Sequence, residues 1–224
     1  MNSSGYYDIV SIVVDMGKMY IATTEGLAIS NRVCNYGQCK TVFKQVKLFP
    51  AADYQPINAL AISGGAIYAG TGFGLFISRD KDSGVFFGPV YLSDHLASND
   101  VQSIAVVGNN IYLGTALGFF ISTDGGFSFR KVEVADKLAS ANIHSIVVQG
   151  NNIYLGTGDG LFVSNDSAKS FRLVTVANGL GANEVKSVGI VGGNIYVGTE
   201  QKGLSISGNS GNSFNAIPYI DAVE

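Results

Sequence analysis

The sequence predicts an all-β fold: a β-propeller of five four-stranded blades around a central axis. Three observations carry this expectation. Tyr20, Tyr68, Tyr112, Tyr154 and Tyr196 recur at one repeat position, with spacings of 48, 44, 42 and 42 residues. A period near ~40–45 residues, with about four short strands per unit, is what propeller blades produce. Within each unit the apolar residues alternate or run in short blocks, whereas helical repeats would place them at i, i+3 and i+4. Glycine is frequent, at 29 of 224 residues, as a fold with many tight turns requires.

The third unit displays the plan most fully. Residues 101–107 read as an inner strand, rich in β-branched side chains and small at Ser103 and Ala105. Ser11, Ala59, Ser145 and Ser187 match Ser103 in the other units, and small side chains suit strands crowded about an axis. Gly108, Asn109 and Asn110 tolerate positive φ and form the first hairpin turn. Residues 111–115 give the second strand, whose Gly114 matches Gly70, Gly156 and Gly198 and allows a neighbouring sheet to come close. Residues 119–122 give the third strand and 129–132 an outer fourth, where Arg130 and Lys131 suit an exposed edge. Polar linkers lead from each outer strand to the next inner strand, so they gather on one face of the disc.

The repeats run over about 6–49, 50–92, 93–134, 135–176 and 177–224. No composition break divides them, so residues 1–224 read as a single domain. The first repeat departs from the plan: a cysteine loop, 31–40, replaces the turn between its third and fourth strands. The tail from Tyr219 to Val223 resembles the lead-in from Tyr6 to Val10. Either the tail returns to the start of the ring or a sixth repeat begins there; five complete units favour a closed five-bladed disc.

Composition narrows the function. Charged residues are 14% and hydrophobic residues 46%, with a net charge of −3 and no basic stripe. That excludes disorder and gives no footprint for nucleic acid. No apolar run reaches the ~18–20 residues of a membrane helix, so direct membrane insertion is not expected. No signal peptide is visible at the polar N-terminus. Cys34 and Cys39 are close in sequence, which fits a local disulfide pinning the loop, with free thiols as the alternative; the disulfide would favour an oxidising compartment. Two residues of one loop do not complete a tetrahedral zinc shell, and His95 and His144 belong to other repeats. No metal and no cofactor are expected.

The turn from Ser122 to Phe129, Ser-Thr-Asp-Gly-Gly-Phe-Ser-Phe, resembles the Asp-box of sialidase-like (BNR) propellers, S-x-D-x-G-x-x-W/F. Weaker copies lie at 164–171 and 207–214, and at 78–86 with one residue inserted. The resemblance implies a propeller, and it implies that Asp80, Asp124, Asp166 and Asn209 are structural: each side chain bonds the backbone of its own turn. The Asn-Ile-Tyr-Leu-Gly-Thr-x-x-Gly-Leu pattern is also similar to propeller repeats of two-component sensor ectodomains, which carry Trp where this chain has Tyr.

Candidate chemistry is sparse. A sialidase captures a carboxylate with three convergent arginines. Here Arg130 and Arg172 share the outer-strand position, Arg79 lies in an Asp-box turn and Arg32 in the cysteine loop. Asp94, Asp100, Asp136 and Glu184 occupy linkers of different blades and are candidate glycosidase acids, although acids before a strand more commonly sit in solvated turns. Asn58, Gln102, His144 and Lys186 form the most informative set. They share one position at the head of the inner strands, where the first repeat has Val10. Pointing toward the axis, they would form a polar ring for a small polar ligand; pointing sideways, they would only bond neighbouring loops.

The expectation is therefore a non-enzymatic binding propeller, recognising a protein or glycan through its linker face. The candidate ligand-binding residues are Asn58, Gln102, His144, Lys186, Asp94, His95, Asp136, Lys137 and Glu184. A structural subunit of a cell-surface, virion or sensor assembly is one alternative, and a glycoside hydrolase using linker-face carboxylates is the other. The expected location is extracellular, cell-surface or periplasmic.

Overall fold

Five antiparallel sheets follow one another along the chain, each a blade built from consecutive hairpins. Blade 1 comprises β1 (Ile9–Asp15), β2 (Lys18–Thr23), β3 (Gly26–Asn35) and β4 (Gln38–Val46). Blade 2 comprises β5 (Ile57–Ser63), β6 (Ala66–Thr71) and β7 (Gly74–Ser78), and Val90 bridges to Leu75 at the position of a fourth strand. Blade 3 comprises β8 (Val101–Val107), β9 (Asn110–Thr115), β10 (Gly118–Ser122) and the short β11 (Arg130–Lys131). Blade 4 comprises β12 (Ile143–Gln149), β13 (Asn152–Thr157), β14 (Gly160–Ser164) and β15 (Arg172–Val174). Blade 5 comprises β16 (Val185–Val191), β17 (Asn194–Thr199), β18 (Gly203–Ser207) and β19 (Asn215–Ile217). This computed structural model describes residues 8–46, 48, 56–80, 90, 100–134, 138 and 141–217.

Two buried faces per blade explain the sequence pattern. Successive side chains of a strand point to opposite sides of its sheet. In blade 3, Tyr112, Phe119 and Ile121 point forward and pack on Ile153, Leu155 and Phe162 of blade 4. Ile111, Leu113 and Phe120 point backward and pack on Tyr68, Leu75 and Ile77 of blade 2. The same rule joins blade 1 to blade 2 and blade 4 to blade 5. Every joint thus sets the leading face of one blade on the trailing face of the next. Both faces of an interior strand are apolar, which is why the second and third strands read as short continuous blocks.

The glycine of the second strand permits this approach. A Cβ on Gly114 would lie 2.6 Å from Ile143 of blade 4, and one on Gly70 or Gly156 would strike Val101 or Val185. The small residue of the inner strand serves the same joint. Ser103 Oγ donates to Ile143 O at 2.9 Å, and Val188 N donates to Ser145 Oγ at 3.1 Å.

The Ser–Asp turns are closed by their own side chains. Asp124 Oδ1 accepts from the backbone of Phe127 and Ser128, each at 3.0 Å, and Oδ2 accepts from Ser128 Oγ. Asp166 repeats the set with Lys169 and Ser170, and Asn209 keeps the bonds to Ser213. These bonds hold Asp124 well below its ordinary carboxylate range and bring Asp166 down to about 2. Most of the Asp80 turn lies outside the described residues; Ser78 Oγ donates to Asp80 O. Phe129, Phe171 and Phe214 each plug the joint behind their own blade.

One feature differs from the expectation. The segment 31–40, expected as a cysteine loop in place of the turn, is strand on both sides of Tyr36 and Gly37. β3 and β4 continue into a regular hairpin that turns at Tyr36 and Gly37, both at positive φ (49° and 80°). Such values at both central residues are what a tight two-residue hairpin needs. Cys34 and Cys39 face each other there and are joined by a disulfide. Inner strands pack in the sequence β1, β5, β8, β12, β16. The expected return of the tail, 219–223, to the lead-in, 6–10, rests largely on residues 6, 7 and 219–223, which lie outside the described residues.

Candidate polar rim at the heads of the inner strands

Every inner strand carries a register irregularity at its first turn of pairing, and it falls at one repeat position. Ile9 and Ser11, Ile57 and Ala59, Val101 and Ser103, Ile143 and Ser145, and Val185 and Ser187 flank the shifts. The residue between each pair is Val10, Asn58, Gln102, His144 or Lys186. A bulge leaves its extra residue out of the ladder and re-aims the side chain. Four of the five blades use that freedom for a polar residue.

The strand head is tied down from the same blade. Ala116 N donates to Asp100 O, Glu200 N to Glu184 O, and Thr24 N to Asp8 O. Each bond links the residue two before the bulge to the turn after the second strand. Those turns are themselves fixed by the preceding threonine. Thr115 Oγ1 donates to Gly118 O and accepts from Leu117 N, and Thr23, Thr71 and Thr157 do the same. The bulged side chains therefore stand on a rigid base, as a recognition surface needs.

The rim holds two groups. Asp100 accepts from Asn58 Nδ2 of the preceding blade at 2.8 Å and from Gln102 Nε2 at 3.1 Å. Lys186 pairs with Glu184 and, at 2.9 Å, with Glu200. The two carboxylates raise the Lys186 ammonium, and Lys186 in turn lowers Glu184. His144 lies within the field of this triad. Burial lowers its pKa first and the Lys186 charge adds to that, against the opposing pull of Glu184 and Glu200. His144 is thus neutral at pH 7, with one ring nitrogen able to accept and the other to donate.

Asn58, Gln102, His144, Lys186 and Glu184 are thus on one rim. Asp94, His95, Asp136 and Lys137 lie outside the described residues. Glu200 was missed by sequence reasoning. The signal was present, since it stands where the other units have Thr24, Gly72, Ala116 and Gly158 and is the one charged residue among them. Among the described residues no cluster of three or more His, Cys, Asp or Glu side chains is arranged to hold a metal ion. No helix among them is long and apolar enough to cross a membrane.

A separate cleft of about 570 Å³ lies on the trailing face of blade 1, lined by Met16, Met19, Ser30, Arg32, Lys40 and Thr41. It is beside the disulfide hairpin and away from the rim.

No family model and no curated protein sequence matches the chain. Solved structures do. The chain is similar to the extracellular domain of a B. thetaiotaomicron protein named as a hybrid two-component system, BT3049, at 20% identity and a TM-score of 0.69. That match covers 99% of this chain and 30% of the other. It is similar to a Niastella koreensis GH74 enzyme at 17% identity and TM-score 0.62, over 95% of this chain and 30% of that one. It is also similar to YCF48 bound to D1 peptide at 10% identity and TM-score 0.63, over 92% and 68%. The chain spans about a third of the length of the first two. At these identities the likeness establishes the fold, a β-propeller.

Proposed function

We propose that the chain is a non-enzymatic binding propeller that recognises a protein or glycan through the rim of bulged inner-strand residues. The observation that carries this reading is the repeated irregularity at Asn58, Gln102, His144 and Lys186, one per blade and in one ring. Bulges re-aim side chains, and a rigid scaffold that repeats the device four times with polar residues is suited to recognition. The rim combines amide donors and acceptors, a neutral imidazole, an ammonium and carboxylates, which suits hydroxyl-rich or peptide surfaces.

The two candidate acids among the described residues favour binding over turnover. A glycosidase proton donor works with a raised pKa. Glu184 is lowered by Lys186, and Asp100 is already bonded by two side-chain amides. The hydrogen-bond sets of Asp124, Asp166 and Asn209 fit the Asp-box reading of those turns as scaffold. YCF48, a similar fold, carries a bound peptide, whereas the GH74 likeness keeps a hydrolase as the competing reading. The Cys34–Cys39 disulfide, with the extracellular-domain likeness, supports an extracellular, cell-surface or periplasmic location.

The test is a screen of the chain against a glycan array and a library of extended peptides, run beside a Gln102→Ala/His144→Ala/Lys186→Ala variant. The expected result is a ligand whose binding weakens at least ~10-fold in the triple variant while the circular dichroism is unchanged. A ligand indifferent to all three substitutions would overturn the rim as the site. Release of reducing ends from a glycan, abolished by Asp94→Asn/Asp136→Asn/Glu184→Gln, would replace the binding reading with the hydrolase.

A further inference from the structure

We infer that the long outer edge of β4 is a strand-addition site, separate from the rim, that takes an extended acidic segment of a partner protein. The other blades show how short an outer strand ordinarily is in this fold. Blade 2 has a single bridge at Val90, and β11, β15 and β19 have two, three and three residues. Such short strands leave little edge for another chain to pair with. β4 has nine residues. It pairs with β3 in unbroken register, from Leu27 with Val46 to Asn35 with Gln38, and contains no proline. No other strand joins its outer side among the described residues.

The end of β4 stands out from the disc. Ser30 ties β3 to β2 by accepting from Met19 N at 2.7 Å. Beyond it five residue pairs run on as a two-stranded ribbon, about 16 Å at the usual strand rise. Residues 32–41 are exposed on both faces, so no core holds them. A two-stranded hairpin is marginal by itself, and here the Cys34–Cys39 disulfide joins the strands one pair from the turn. The two-residue turn at Tyr36 and Gly37 makes Asn35 and Gln38 a hydrogen-bonded pair, and hydrogen-bonded and non-bonded pairs alternate from there. Cys39, Thr41, Phe43 and Gln45 therefore turn their N–H and C=O groups away from β3. A row of outward donors and acceptors on a stapled strand is what an extended peptide pairs with.

Charge selects the occupant. Arg32, Lys40 and Lys44 are the only charged residues from Gly26 to Val46, so this hairpin carries +3 in a chain of net charge −3. Among the described residues no carboxylate pairs with any of the three. Successive side chains alternate between faces, which puts Lys40, Val42 and Lys44 on one face and Thr41 and Phe43 on the other. An added strand places its own side chains opposite these. It is matched when it has acids opposite Lys40 and Lys44, an apolar residue between them opposite Val42, and β-branched residues opposite Thr41 and Phe43. A second copy of the chain fits badly. Two β4 edges centred on Val42 would set Lys40 directly against Lys44, so the lysines turn away a copy while admitting an acidic strand. A sulfated glycan would satisfy the lysines and leave the row of backbone groups unused.

The probe is a fluorescein-labelled extended peptide centred on Glu-Val-Val-Thr-Glu, titrated with the whole chain by fluorescence polarisation and followed by amide hydrogen exchange. The peptide is expected to bind and to slow exchange at the N–H groups of Cys39, Thr41, Phe43 and Gln45. Lys40→Glu/Lys44→Glu is expected to weaken binding at least ~10-fold, and a peptide with lysine in place of both glutamates to recover it. Thr41→Pro removes an outward N–H that the ladder to β3 does not use, so the hairpin stays paired. Its binding is expected to fall at least ~10-fold while exchange at Lys40 and Val42 is unchanged. Four results would overturn the inference: a peptide that does not bind, binding that leaves the four outward amides unprotected, binding indifferent to the charge reversal, or a sulfated oligosaccharide that binds where the peptide does not.

Discussion

Gly114→Ala tests the joint geometry directly, with Gly198→Ala as its internal comparison. At Gly114 the added Cβ would sit 2.2 Å from Ser103 Oγ, 2.6 Å from Ile143 Cγ2 and 2.8 Å from Ile143 Cβ. None of these gives easily. Ser103 Oγ is committed to Ile143 O at 2.9 Å, and Ile143 is fully buried and stiff at χ1. Overpacking of this kind costs about 1–3 kcal/mol. The loss of backbone freedom in the unfolded chain returns about 0.4–1 kcal/mol. The net expectation is a loss of about 1–2 kcal/mol, or about 2–8 °C in Tm for a chain of this size. At Gly198 only Ser187 Oγ is met, at 2.4 Å, and no atom of a following blade. A serine hydroxyl rotates away, so the change stays within about 0.5 kcal/mol. Urea unfolding of both variants measures the difference. Equal losses at the two glycines would refute the argument that the following blade imposes the requirement.

The Arg172 guanidinium, which donates to Gly211 O and Ser210 O of blade 5, and the Ser–Asp turn give two further expectations. Arg172→Ala removes both bonds to the blade 5 turn and should cost about 1.5–3 kcal/mol, the range for hydrogen bonds to a charged group; Arg130→Ala, at the same strand position but exposed, should cost under about 0.5 kcal/mol, both read by urea midpoints. Asp124→Asn should be well tolerated and Asp124→Ala not, because Asn209 already makes the equivalent bonds to Ser213. The same turns set an acid limit. The folded pKa of Asp166 is about 2 against an ordinary 3.8, and Asp124 is lowered for the same reason. The folded state therefore binds fewer protons than the unfolded one between those values. The stabilisation is complete above about pH 4 and is lost as the pH falls toward 2. A Tm-versus-pH profile flatter in that window for Asp124→Asn/Asp166→Asn than for the wild type is the expected reading; identical profiles would count against the hydrogen-bond account.

How much of this was legible depends on how local each cause is. The period, the hairpin turns and the Ser–Asp turns are written in neighbouring residues, and the strands at 101–107, 110–115 and 118–122 lie where alternation and glycine place them. The polar position at Asn58, Gln102, His144 and Lys186 was visible as an alignment of unlike residues. The bulge that makes it a rim was not, because a bulge is a property of two strands paired out of step. Glu200 shows the same limit: its neighbour in space, Lys186, is on another strand. The hairpin at 31–40 reads as a loop in the sequence because Cys, Asn and Gly suit turns. Yet Val33, Thr41, Val42 and Phe43 extend the pairing on either side of Tyr36 and Gly37.

The angle between blades is the deepest case, since five similar units carry no statement of it. That angle is set at the joints, by how far Gly70, Gly114 and Gly156 let Val101, Ile143 and Val185 approach. Blade 1 differs at this position: Ala22 replaces the glycine and is fully buried against blade 2. The exposed apolar residues of blades 1 and 5 are also ordinary in the sequence. Ile12, Val14 and Leu204 fit the repeat as well as their buried counterparts do, because the repeat encodes a face and not its neighbour.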